Sequence, residues 1–174
     1  MSQPETTQQY IERLLGYAGD TDPFEILTST ASRVRALLAG RSREELSRRP
    51  APDRWSVAEI VTHFSDAEVA GAWRFRLVLG DNGVPLQAYD QNVWADTFRY
   101  AEADPAEALD MFEALRASTV SLLRRVDRSR FENFGMHAER GRESVAHLIR
   151  LYAGHDLNHL RQIEQLLGAP AAAR

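Results

Sequence analysis

The 174-residue chain contains no cysteine. A disulfide framework, a thiolate metal site and a cysteine nucleophile are thereby excluded. Lysine is missing as well, all 21 basic residues being arginine, which removes Schiff-base chemistry and a lysine general base. No segment approaches the roughly 20 apolar residues of a membrane span, so no membrane partner is expected. Positive charge is not in surplus: the net charge is −4 and the isoelectric point about 5.7, a balance that disfavours nucleic acid as a partner. The opening residues, MSQPETTQQYIERL, are polar, carry Glu5 and lack a basic stretch followed by an apolar one. They do not read as a signal peptide, and a cytoplasmic protein is expected. Convincing strand alternation is also absent.

What remains is helical periodicity and helix-start chemistry. With 44% apolar and 26% charged residues, the chain is long enough for one well-formed core and short for two. A short helix is expected near residues 5–17, with Ile11, Leu14 and Leu15 on its apolar side. Asp22-Pro23-Phe24-Glu25 reads as a capping box with proline at the first helical position. It opens a helix carrying Phe24, Leu27, Val34, Leu37 and Leu38 that Gly40 closes. A brief turn follows Ser42, stopped by Pro50 and Pro52. Ser56-Val57-Ala58-Glu59 is a second capping box and starts a long helix over about 56–79, whose stripe runs Ile60, His63/Phe64, Ala67, Gly71, Phe75, Val78. Asp104-Pro105-Ala106-Glu107 opens a third, to about 126. After a polar loop, a fourth covers about 143–167 and stops at Gly168-Ala169-Pro170.

Four long helices with short extra ones predict an all-α four-helix bundle. The expected organisation is an N-terminal extension with a short helix over residues 1–21, followed by the bundle domain over 22–168. The connection between the second and third long helices spans some two dozen residues, enough to cross the bundle, while the other links are short. The predicted order is therefore up-down-down-up, with the second and fourth helices antiparallel.

The chemistry concentrates in the fourth helix. His155 and His159, in HDLNHLRQIEQLL, are four residues apart and so share a helix face. Two imidazoles in that relation can converge on one transition metal. The spacing alone is weak evidence, because such pairs are commonly surface or satisfied core histidines. Two features strengthen it: the pair falls on the apolar stripe, where an unliganded imidazole needs partners, and a third histidine, His63, falls on another apolar stripe. His63 lies about 10 Å from its helix end and the pair about 12–18 Å from the matching end, by a rise of 1.5 Å per residue. Antiparallel packing would bring the three to a common level. Three histidines would leave coordination positions open for catalysis.

RWSVAEIVTHFSDAE resembles the Trp-Ser … His-x-x-x-x-Glu segment of the DinB-like (DinB/YfiT) four-helix-bundle superfamily of metalloenzymes. HDLNHLRQIEQLLG resembles that superfamily's closing His-x-x-x-His-x-x-Gln-Ile motif. The resemblance implies an up-down-down-up bundle binding a divalent metal (zinc, nickel or iron) through His63, His155 and His159. It also implies chemistry on a small-molecule substrate with a low-molecular-weight thiol such as mycothiol, bacillithiol or glutathione, in a thiol S-transferase-like reaction, and a possible homodimer. The alternatives are a non-catalytic, stress-associated bundle that binds metal or a small ligand, and a metal-dependent hydrolase; no glutamate sits between the paired histidines as in an HExxH protease.

Other residues have weaker claims. Gln162, one turn after His159, is a candidate to bond a metal-bound water or a ligand imidazole, or else a polar residue at the stripe edge. Asp66 and Asp156 are candidates to orient ligand imidazoles, with solvated helix faces as the expected reading for both; Glu68 has no assigned role. His137 is expected to be exposed in the polar loop, and His147 off the metal level. Trp55 suits a staple or core anchor. Tyr89, Trp94 and Phe98 form either a pocket mouth or, as expected here, a core patch. Arg74 and Arg99 are possible contacts for an anionic substrate.

Overall fold

Seven α-helices build the molecule, a computed structural model that describes residues 5–168. They are α1 (Thr7–Ala18), α2 (Pro23–Leu38), α3 (Arg43–Leu46), α4 (Val57–Gly80), α5 (Gln91–Thr97), α6 (Pro105–Arg125) and α7 (Val145–Leu166). Each long helix starts at a polar side chain that takes up an orphan backbone N–H. Ser56 and Glu59 form the reciprocal box, Ser56 Oγ accepting from Glu59 N at 3.3 Å while the Glu59 carboxylate accepts from Ser56 N at 2.9 Å. Asp22 caps α2 by accepting from Phe24 N at 2.9 Å, without the return bond from Glu25 that a box requires. Asp104 accepts from Ala106 N at 2.9 Å and Ser144 from His147 N at 3.1 Å. At the far end Gly168 has a φ of +64°; Ala169 and Pro170 lie outside the described residues.

The bundle comprises α2, α4, α6 and α7. Helix α4 packs against α6 and α7, and α2 closes the square against α6 and α7. The order is up-down-down-up, α4 and α6 being joined by the long connection. Two apolar clusters fill the bundle. One gathers Val34, Val57, Ile60, Val61, Phe64, Phe112, Leu160 and Ile163. The other gathers Leu27, Phe75, Val78, Leu123, Val145, Leu148 and Tyr152. Between them lies a polar layer that supplies the buried charges described below.

Two features depart from the sequence expectations. The stretch between about 126 and 143, expected as a polar loop, and the first residues expected in the fourth helix contain a hairpin of β2 (Phe134–His137) and β3 (Gly141–Ser144), and β1 (Val84–Leu86) adds to β2 in parallel. These strands are three or four residues long, and β3 reads Gly-Arg-Glu-Ser, so no alternation marks them; pairing with neighbours forms them. Gly135 is needed there, because a Cβ at that position would sit 2.6 Å from Leu86 Cγ. The second feature is α1, which lies against α7. A Cβ on Gly154 would come within 2.0 Å of the Leu14 carbonyl oxygen, so this glycine is what lets the two backbones approach. Arg13 adds a 2.8 Å bond to Asn158 Oδ1.

Candidate metal centre

Antiparallel α4 and α7 bring the three histidines to one level. His63 Nε2 lies 3.0 Å from His155 Nε2, and His155 Nε2 lies 3.1 Å from His159 Nε2. The three donor atoms all lie within 4.8 Å of one another. Two imidazole nitrogens held at about 2.1 Å by one ion, with an angle of about 90–110°, would stand about 3.0–3.4 Å apart. The observed separations match that geometry, and the three residues could hold a metal.

Hydrogen bonding cannot satisfy the cluster by itself. A neutral imidazole carries one N–H and one lone pair. His159 places Nδ1 2.7 Å from Gln162 Oε1; a carbonyl oxygen only accepts, so Nδ1 bears the proton and Nε2 presents its lone pair. His155 Nε2 faces two neighbours with either one proton or one lone pair, which serves one of them and leaves the other unmatched. Protonation offers no escape. Burial pushes the His63 and His155 pKa values well below the usual histidine range, reinforced by neighbouring imidazoles. Burial also brings His159 down to about 4 against the opposing bond from Gln162. Three neutral rings whose Nε2 atoms converge on one point fit a single cation.

The surroundings hold the rings in place. Trp55, immediately before the α4 cap, stands 5.0 Å from the His63 ring, centroid to centroid, and 6.1 Å from Tyr100. It is thus a wall of the site as well as an anchor. Phe64 meets His159 edge-on at 5.5 Å. Gln162, left open between two readings, bonds the His159 imidazole. His147 is off the metal level, 3.9 Å from Glu143.

Several expectations need correction. Asp156 is fully buried, not a solvated face acid: Arg116 binds it through two nitrogens at 2.5 and 3.1 Å. The same guanidinium donates to Glu68 at 2.8 Å and to the Leu27 carbonyl at 3.2 Å, so one side chain from α6 ties α2, α4 and α7 together. Neither Arg116 nor a role for Glu68 was found in the sequence. The available signal was position, since Arg116 continues the apolar stripe of Phe112 one turn on. Asp66 accepts from the Tyr100 hydroxyl at 2.6 Å and therefore braces the connection before α6. His137 is not exposed but buried in β2.

Two cavities flank the cluster. One, of about 370 Å³, reaches His63 and His155 and is lined further by Tyr10, Arg74, Tyr89 and His137. The other, of about 430 Å³, reaches His159 and Gln162. Tyr10 of α1 and Gln91 of α5 border both, so α1 roofs the histidines. Tyr89 stacks on Trp94 with centroids 4.1 Å apart and contributes to a pocket wall, not the expected core patch, while Phe98 is exposed and Arg99 pairs with Glu102 at the surface. No helix among the described residues is long and apolar enough to cross a membrane.

Known proteins are similar over the same span. A relative from Halalkalibacterium halodurans, named "Putative metal-dependent hydrolase", is 26% identical over 141 residues, covering 81% of this chain and 82% of its own. Another of that name, from Oceanobacillus iheyensis, is 29% identical over 124 residues, covering 70% and 69%. Among solved structures, YfiT from Bacillus subtilis, "a probable metal-dependent hydrolase with an unusual four-helix bundle topology", superposes with a TM-score of 0.75 at 17% identity. That match covers 98% of this chain and 94% of the other, and establishes the shared fold. Residues 26–163 match the family model of the DinB superfamily, and the chain belongs to that superfamily.

Proposed function

We propose that His63, His155 and His159 hold a divalent metal through their Nε2 atoms, and that the protein uses it to activate a low-molecular-weight thiol for transfer to a small electrophile. The observation that carries the metal is the convergence of three Nε2 atoms, that of His155 lying 3.0 Å and 3.1 Å from the other two, which no pattern of hydrogen bonds completes. A divalent ion there, zinc, nickel or iron, would supply Lewis-acid chemistry, lowering the pKa of a nucleophile. The chain's own part is to position and to exclude. Gln162 fixes the His159 tautomer, Trp55 and Phe64 shield the rings from bulk water, and the cavity beside His63 and His155 admits one small molecule.

The proton inventory favours a thiol over water. The nearby carboxylates are committed elsewhere: Glu68 and Asp156 to Arg116, Asp66 to Tyr100. A thiol, with a pKa near 8.5, needs less help to ionise than water, at about 15.7. The names of the relatives support a second reading, hydrolysis, in which water is the nucleophile. Exposed Val69 and Trp73, one turn apart on α4, support an assembly as a homodimer, and a cytoplasmic setting would supply the thiol.

The test begins with elemental analysis of the wild type and His159→Ala, purified without chelator or affinity nickel. We expect close to one metal per chain in the wild type and a loss of at least tenfold in the variant. Metal-loaded protein should then accelerate conjugation of monochlorobimane only when a thiol is supplied. Cleavage of p-nitrophenyl acetate without thiol would shift the assignment to hydrolysis. Wild-type protein that takes up no zinc, nickel or iron(II) would remove the metal reading altogether.

A further inference from the structure

The cavity beside His63 and His155 has a second polar end that the metal centre does not use. Arg74 is 7% exposed; its Nη2 donates to the Gln87 carbonyl at 2.7 Å, and the Tyr152 hydroxyl also stands within its reach. Its guanidinium lies 5.5 Å from the centre of the Tyr89 ring. No carboxylate among the described residues pairs with it, in contrast to Arg116 on the neighbouring helix. A buried, always-charged group without a counter-ion is costly. Arg74 lines the same cavity as His137, which is 3% exposed.

His137 is oriented by its own backbone. The Glu139 N–H donates to His137 Nδ1 at 3.2 Å, so Nδ1 is the acceptor and Nε2 carries the proton in the neutral ring. That Nε2 is buried and has no partner among the described residues. Burial together with the positive charges of Arg140 and Arg74 keeps the ring neutral. The cavity therefore has a cation and an unused N–H donor at one end, and imidazole lone pairs at the other.

Helical geometry sets the distance between the two ends. Arg74 follows His63 by eleven residues, within about 20° of the same face and about 16 Å along the axis. The small residues Ala67 and Gly71 lie between them. Both side chains lean toward the helix N-terminus, so the two ends stay well separated along the cavity. Leu14, Leu151, Tyr152 and Tyr89 give the intervening walls an apolar character.

From this we propose that Arg74 and His137 form a carboxylate-recognition site, which selects a substrate or co-substrate carrying a single carboxylate at the end remote from its reacting atom. The fork of an arginine suits a carboxylate, and His137 Nε2–H supplies the additional donor. A dianionic phosphate is less well matched: Glu5 and Glu139 also border the cavity, and Arg140 is already occupied by Glu143 at 2.7 and 2.9 Å. The placement of the reacting atom rests on the proposed metal centre; the anion site itself does not.

Calorimetric titration of the full-length protein with hexanoate, and with hexanol as the neutral analogue, separates the two. The same pair is run on His159→Ala, which removes a proposed ligand that lies outside this cavity. We expect hexanoate to bind about tenfold tighter than hexanol or better, equally so in His159→Ala. Arg74→Gln, which retains a donor for the Gln87 carbonyl, should abolish the preference while leaving hexanol binding unchanged and without lowering the melting temperature. His137→Phe should reduce it. On metal-loaded wild type, 6-mercaptohexanoate should then bind more tightly than 6-mercaptohexanol. Equal or absent binding of hexanoate and hexanol, tighter binding of hexyl phosphate, or an Arg74→Gln protein that loses both ligands alike would overturn the proposal. Loss of metal uptake with a persisting hexanoate preference would instead count against the metal reading alone.

Discussion

Two buried polar clusters sit side by side between α4 and α7, and they are built on opposite terms. The charged one closes on itself: Arg116 takes Asp156, Glu68 and the Leu27 carbonyl, and both acids belong to helices that also carry a proposed metal ligand. The histidine cluster, one residue away along α7, does not close, because its three Nε2 atoms face one another. A polar group buried for structure alone is expected to find its partners inside the protein. The arginine triad meets that expectation apart from one Glu68 oxygen, and the histidines fail it. The difference separates a structural bolt from a site that waits for a ligand.

The largest effect should come from breaking the closed cluster. Arg116→Ala leaves Glu68 and Asp156 buried without a counter-ion, and removal of one member of a buried pair costs about 3–5 kcal/mol. For a chain of this size that is a fall of roughly 10 °C in melting temperature, measurable by calorimetry. Replacing Arg116, Glu68 and Asp156 together by apolar residues should recover most of the loss. A single variant that melts with the wild type would show that the triad is not what joins the four helices.

A smaller effect is expected where α1 is seated over the open cluster. Gly154→Ala would place a methyl group 2.0 Å from the Leu14 carbonyl oxygen, and backbone cannot yield as a flexible side chain does. An overpacking cost of about 1–3 kcal/mol follows, expressed as displacement of α1 while the bundle stays folded. Limited proteolysis should then cleave between α1 and α2 much faster than in the wild type, with the far-ultraviolet helical signal largely kept. Unchanged cleavage would mean that α1 does not depend on this contact.

The two clusters were also unequally legible in the sequence. His155 and His159 declare themselves by spacing, and His63 by its place on the apolar stripe that Ser56 and Glu59 begin. Helix starts were readable for the same local reason: a cap is a contact between residues two or three apart. The arginine triad joins residues 40 and 48 positions apart, and nothing near Asp156 says that it is buried. His137 reads as exposed because its burial depends on β1 pairing with β2 across some fifty residues of chain. Local chemistry was visible; chemistry completed by another element was not.

The finest test of the comparison is Gln162→Ala. In the closed cluster every orienting bond is made by a charge, whereas His159 depends on one neutral amide, 2.7 Å from its Nδ1. Without that acceptor the ring loses its reason to keep the proton on Nδ1, and the Nε2–H tautomer cannot ligate. Partners that orient a ligand imidazole are worth about 10–100-fold in metal affinity. A single amide at the edge of a cavity belongs at the lower end, about tenfold or 1.4 kcal/mol. Competition against a zinc chelator measures this directly, and the metal-free variant should melt within about 1 °C of metal-free wild type. An affinity unchanged by the substitution would mean that packing against Phe64 orients His159, and that the amide is incidental to the site.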